Sequence, residues 1–280
     1  MNIASRLIED LFFTIDFRPY WNFRHFGIDG ENVVFEAKDG TLISGMFMHA
    51  YFRKGTPYTK PRGTIFYAHS GERNMHFNLP QVTWLVANCF NVFCYDPRGC
   101  GKSPGHITLA GCNEDVVSAF NYLKTRDDID QDNITLFGQR TGAYAVMHLA
   151  AQHEIPGVTS MIIESLWSTQ KGYFLRKYGP GIGHVAVLLM PERENPIDNM
   201  RKIKIPLAIM VNGRDNSLPE KEVTELTRAA PKDRIIWYDP RSRFLNSFAQ
   251  PLIWRDRFMD FAESHAPQAD AKTKKKAKKA

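Results

Sequence analysis

Along the chain the spacing of apolar residues changes period several times, and each change marks an element. Ile3, Leu7, Leu11 and Phe12 recur at three- and four-residue intervals with Arg6, Glu9 and Asp10 between them, which predicts an amphipathic helix over residues 3–15. Phe17, Tyr20, Trp21, Phe23 and Phe26 follow as an aromatic cluster suited to anchoring that helix. From residue 32 the pattern becomes that of strands: Asn32–Ala37 and Thr41–His49 flank Lys-Asp-Gly, a hairpin signal. Short apolar runs then alternate with helical ones. Strands are expected at Thr64–Ala68, Asn91–Tyr95, Ile134–Phe137, Ser160–Glu164, Leu207–Val211 and Ile235–Tyr238. Helices are expected at Leu79–Asn88, Asn113–Leu123, Arg140–His153, near Glu220–Ala229 and near Pro251–Ser264. Such alternation predicts an α/β fold with a mostly parallel, twisted sheet and helices on both faces. In open sheets of this kind the ligand site forms at the carboxyl ends of the strands.

Composition narrows the reading only a little. At 280 residues, with 43% hydrophobic and 24% charged positions, the chain has the make-up of a globular protein with one large core. We divide it into an extension (1–28), one domain (29–265) and a Lys-rich tail (266–280), expected to be disordered. The formal charge of +6 belongs to that tail, because Lys272, Lys274, Lys275, Lys276, Lys278 and Lys279 fall in its last nine residues. Such a run suits weak contacts with acidic surfaces, nucleic acid or anionic lipid, whereas the domain itself is near neutral. Cys89, Cys94, Cys100 and Cys112 form no C-x-x-C pair and no disulfide framework. The first residues lack a secretory pattern, and no run approaches the roughly 20 apolar residues that span a bilayer. These features point to the cytoplasm, with peripheral attachment to a membrane or membrane complex as a further option.

The residues after the strands carry the chemistry. Gly138-Gln139-Arg140-Thr141-Gly142 lies between a strand and a helical run, and it resembles the G-x-S-x-G nucleophile elbow of the α/β-hydrolase superfamily. Tyr67-Ala68-His69-Ser70-Gly71 is similar to that superfamily's His-Gly loop, which implies an oxyanion role for its backbone. Asp96-Pro97-Arg98-Gly99-Cys100-Gly101-Lys102-Ser103 is similar to its D-x-R-G-x-G-x-S segment. Asn212-Gly213-Arg214-Asp215-Asn216-Ser217-Leu218-Pro219 is similar to the stretch that supplies the catalytic acid, so Asp215 matches that carboxylate. Together these segments cover residues 32–264. About forty residues between Ser168 and Pro206 leave room for a small cap, as in compact serine hydrolases acting on esters, amides or peptides.

Two positions break the pattern. The nucleophile position is Arg140, whose guanidinium has no lone pair to attack with. Phe244 is the best match to the histidine, with Leu245 next to it, and neither transfers a proton. His265 stands at the far end of the last helix, Thr141 is expected to point into the turn, and Ser70 lacks an oriented base. No intact catalytic set, cofactor or metal is therefore expected. The resemblance implies a pseudo-hydrolase serving as an interaction or scaffolding subunit of a larger assembly. Its partners would be proteins, held through a helix within Met1–Gly27 or through the domain surface. Two alternatives remain: a small-molecule or anion sensor using the vestigial cleft around His69, Ser70, Gly71 and Thr141, and a serine-type hydrolase with an unrecognised nucleophile. Arg140 and Asp215 are expected to pair directly and close the cleft.

Overall fold

Alternation along single strands decides which side chains face which layer. A computed structural model describes residues 13–189, 194–215, 218–242 and 253–267. The main strands are β2 (Gly30–Glu36), β3 (Leu42–Met48), β4 (Thr64–Ala68), β6 (Asn91–Tyr95), β7 (Ile134–Gln139), β8 (Val158–Glu164), β9 (Leu207–Asn212) and β10 (Ile235–Asp239). They lie in the order β10-β9-β8-β7-β4-β6-β3-β2. β3 runs antiparallel to both β2 and β6, and every other neighbouring pair is parallel. In β4 every residue is buried. Phe66 and Ala68 join one apolar cluster with helices α3 (Leu109–Lys124) and α4 (Thr141–Gln152), while Ile65 and Tyr67 join another with α9 (Ile253–Ser264). A strand buried on both faces reads as the continuous apolar run seen in the sequence.

Three expectations need correction. The helix anticipated over Leu79–Asn88 is broken into α1 (Met75–Asn78), a 3-10 turn (Leu79–Gln81) and α2 (Thr83–Val86). Pro80 is the physical cause, since it offers no N–H and disfavours helical geometry in the residue before it. The helix anticipated at Asn113 begins one turn earlier, because the Thr108 hydroxyl caps it by accepting from the Gly111 N–H at 2.9 Å. Of the aromatic cluster, Phe23 is buried and Tyr20 packs edge-on to Phe77, whereas Phe17, Trp21 and Phe26 are exposed. The helix anticipated over 3–15 is also corrected at its end, where Thr14–Ile15 form a strand because their backbone pairs with Glu72–Arg73; the stretch up to Phe12 lies outside the described residues, as does the tail from residue 268.

Two further pieces frame the cleft. A two-stranded parallel sheet joins β1 (Thr14–Ile15) to β5 (Glu72–Arg73), with Thr14 opposite Glu72. Between β8 and β9 the cap is formed by α5 (Gln170–Tyr178), α6 (Ile182–Leu189) and α7 (Pro196–Met200), and α8 (Glu220–Ala229) follows β9. No helix among the described residues is long and apolar enough to cross a membrane.

Candidate functional site

The turn from β7 into α4 is built around two glycines. A Cβ on Gly138 would come 2.6 Å from the Ala143 Cα, and one on Gly142 would overlap the carbonyl oxygens of Ala68 and His69. Only hydrogen fits at either position, so the strand can reverse into the helix within the intervening residues. At the tip Arg140 takes φ 47° and ψ −110°, a region that costs a residue with a Cβ about 1–3 kcal/mol. The surroundings hold it there: its N–H donates to the Glu164 carbonyl at 2.9 Å, and its own carbonyl accepts from the Tyr144 N–H at 2.9 Å.

The guanidinium lies across the cleft. Its Nη1 stands 2.6 Å from the Glu72 Oε1, and its Nη2 stands 3.6 Å from the Asp215 Oδ1. The pairing expected from the sequence is therefore present in part, and its nearer carboxylate is one the sequence did not suggest. Glu72 reaches Arg140 because the β1–β5 pairing fixes the backbone just beyond the His69 loop. Asp215 follows β9, where its N–H donates to the Asn212 carbonyl at 2.9 Å, and its side chain is 3% exposed against 20% for Arg140. From the cap, Tyr173 and Lys177 feel the same charges. The Lys177 ammonium is pushed below its ordinary value by burial and then by Arg140, and burial raises the Tyr173 phenol.

The remaining expected site residues pack around this cluster. Thr141 is buried, and its Oγ1 fills the space where a side chain on Gly71 would fall, so it faces the His69–Gly71 loop and not the turn into which it was expected to point. The Ser70 hydroxyl donates to the Asn78 Oδ1 at 3.3 Å and accepts from the Glu72 N–H at 3.3 Å. His69 is buried, with its Nδ1 accepting from the Gly71 N–H at 3.3 Å and its Nε2 3.2 Å from the Asp96 Oδ1. Cys100 completes a buried trio with His69 and Asp96, whose ligand atoms lie within 4.8 Å of one another. Its thiol is raised by burial and by Asp96, and it donates to the Arg73 carbonyl at 2.9 Å. The contacts of this buried trio tie the His69 loop to the segment that follows β6.

Beneath the turn runs a buried polar chain that sequence reasoning missed. The Tyr67 hydroxyl donates to Gln139, Gln139 donates to Glu164 at 2.5 Å, and Asn212 donates to Glu164 at 2.6 Å. The Ser242 hydroxyl then donates to the Asn212 Oδ1 at 2.6 Å. It ties together the carboxyl ends of β7, β8 and β9 under Arg140. Its signal was a polar residue closing each apolar strand. Phe244 and Leu245 lie outside the described residues. His265 sits beyond α9 with its ring N–H on the Phe261 carbonyl at 2.8 Å.

Little space remains beside the turn. The cavity bounded by Ala68, His69, Gly71, Pro97, Thr141 and Gly142 measures about 10 Å³, near the lower limit for one water. A far larger hollow of about 820 Å³ opens between α3 and α4, lined by Tyr122, Tyr144, His148 and Glu194.

Known proteins share this architecture. The model of the α/β hydrolase fold family matches residues 76–179. Protein YfhR of Escherichia coli strain K12 is 28% identical over 253 residues, covering 88% of this chain and 86% of its own. Protein bem46 of Schizosaccharomyces pombe is 25% identical over 206 residues, covering 72% and 66% respectively. The crystal structure of an esterase from Pyrococcus furiosus is similar with a TM-score of 0.72 at 18% identity, covering 88% of this chain and 95% of that one.

Proposed function

The chain belongs to the α/β-hydrolase superfamily, and within it we propose a catalytically inert member that acts as an interaction or scaffolding subunit of a larger assembly. In this reading Arg140 stands at the nucleophile position, Asp215 at the acid position and Phe244 at the histidine position. His69, Ser70, Gly71 and Thr141 are then the remains of the oxyanion pocket. The observation that carries it is the Arg140 guanidinium lying between Glu72 at 2.6 Å and Asp215 at 3.6 Å. A carboxylate that would orient a histidine instead faces a cation, and that cation occupies the place of the attacking atom. Loss of nucleophile and base together removes nearly all the rate enhancement such a unit supplies. An anion-binding use of the cleft is less well supported, because an incoming anion would have to displace two carboxylates from one guanidinium.

The test is direct. The purified chain should hydrolyse short- and medium-chain activated esters no faster than a buffer blank. Turnover that persists through repurification and is blocked by a fluorophosphonate would overturn the inert reading. Affinity isolation of the tagged chain, with and without residues 1–28, should recover a stoichiometric protein partner, and recovery of none would remove the scaffolding half.

A further inference from the structure

The cap presents an exposed apolar face. On α6 the exposed large side chains are Ile182 (67%), Val185 (56%), Leu188 (83%) and Leu189 (45%). At about 100° per residue they share an arc of roughly 120°, one continuous outward stripe. The opposite side seats the helix. Gly183 is buried, and a Cβ there would stand 3.2 Å from the Leu175 Cα, so its missing side chain lets α6 approach α5 closely. Val187 packs against the core from the same side. Ile182, Val185 and Leu188 thus point away from the seated side, and a contiguous exposed apolar stripe marks a contact surface.

Charge indicates what covers it. From Ser165 to Pro191 the chain has no aspartate or glutamate, while it carries Lys171, Arg176 and Lys177. Lys171 is exposed, Arg176 is paired with Glu222, and the Lys177 ammonium lies over the Tyr173 and Tyr178 rings on the side of Arg140. An exposed apolar helical stripe that carries no acid, in a chain that also bears an exposed Lys171 and a six-lysine tail, suits the headgroup layer of an anionic bilayer. We propose that α6 docks the chain on an anionic lipid bilayer, with Ile182, Val185, Leu188 and Leu189 below the headgroups and Lys171 at the level of their phosphates and carboxylates. One weak signal gives marginal attachment and two give stable attachment, and the six lysines between Lys272 and Lys279 supply the second. The inference does not depend on catalytic inertness, since it concerns a surface outside the Arg140 cleft.

Co-sedimentation of the full chain with lipid vesicles tests it. The chain should pellet with vesicles containing phosphatidylserine, and about tenfold less with phosphatidylcholine alone. The double change Val185→Glu with Leu188→Glu should weaken binding to the serine-containing vesicles by about tenfold or more, with circular dichroism and melting temperature unchanged. If that variant misfolds, Val185→Ser with Leu188→Ser serves in its place and should weaken binding in the same direction. Deleting residues 268–280 should lower the affinity yet leave the remainder sensitive to the α6 changes. Wild-type binding by the α6 variants would assign all attachment to the lysines and overturn the proposal. So would an absence of vesicle binding, or sedimentation showing a dimer that the same variants dissolve, which would make the stripe an interface between copies of the chain.

Discussion

A guanidinium at the tip of a tight turn combines two effects that substitution can separate. Arg140 holds a strained backbone, and it neutralises Glu72 and Asp215. Arg140→Ala should destabilise the fold by about 2–4 kcal/mol, because it leaves the nearly buried Asp215 carboxylate without that cation. Arg140→Gly loses the same pairs but meets φ 47° without a Cβ, so it should be about 1 kcal/mol more stable than the alanine variant in denaturant unfolding. Equal stabilities would mean that the turn stores no strain. Coupling is measured separately: Arg140→Met with Asp215→Leu should lose less than the two single changes summed, by on the order of 1 kcal/mol. Arg140 and Asp215 were legible in the sequence, because each sits at a fixed offset from a strand end and a glycine. Glu72 was not, since it becomes Arg140's nearer partner through a two-residue strand pairing across 58 positions, Thr14 to Glu72, that no local pattern announces.

Elements were readable where burial made the pattern continuous and obscure where local chemistry interrupted it. β4 and β6 appear at the expected residues because both are buried along their whole length, and α8 appears where its apolar spacing placed it. The helix after β4 failed at Pro80, and the start of α3 was set by the Thr108 cap rather than by its first apolar repeat. The β7–α4 turn was recognised from its glycines, and the packing supplies the reason they are needed. Gly142→Ala should therefore be among the most damaging small substitutions available, since the new methyl meets the rigid carbonyls of Ala68 and His69 rather than a mobile side chain. We expect a loss of about 3 kcal/mol or more, seen as a large fall in melting temperature or failure to accumulate folded protein. A loss below about 1 kcal/mol would show that β4 and α4 can separate cheaply, and the turn would then not be the rigid joint between them.

At the scale of the molecule, the sheet is closed on one face by α9, whose last turn is tied back to the approach to β4. The Arg62 guanidinium, with its side chain 9% exposed, donates to Glu263 and lies over the rings of Tyr58 and Phe90 at 4.8 and 4.7 Å. The Tyr58 hydroxyl donates to the same carboxylate at 3.1 Å. The hydrogen bond from Arg62 is the largest cause holding the Glu263 carboxyl below its ordinary value of 4.5. A carboxylate depressed by folding stabilises the native state fully above the unfolded value and loses that contribution as pH falls through the folded one. Because Glu263 is about one-third exposed, solvent screens the pair, and its worth is about 1 kcal/mol or less. Glu263→Gln should thus lower the melting temperature by about 2–4 °C at neutral pH, and the gap between variant and wild type should close as pH drops below about 4. A gap that stays constant across that range would mean that α9 is held by the apolar packing of Phe258 and Trp254 alone, with the ion pair contributing orientation but no stability.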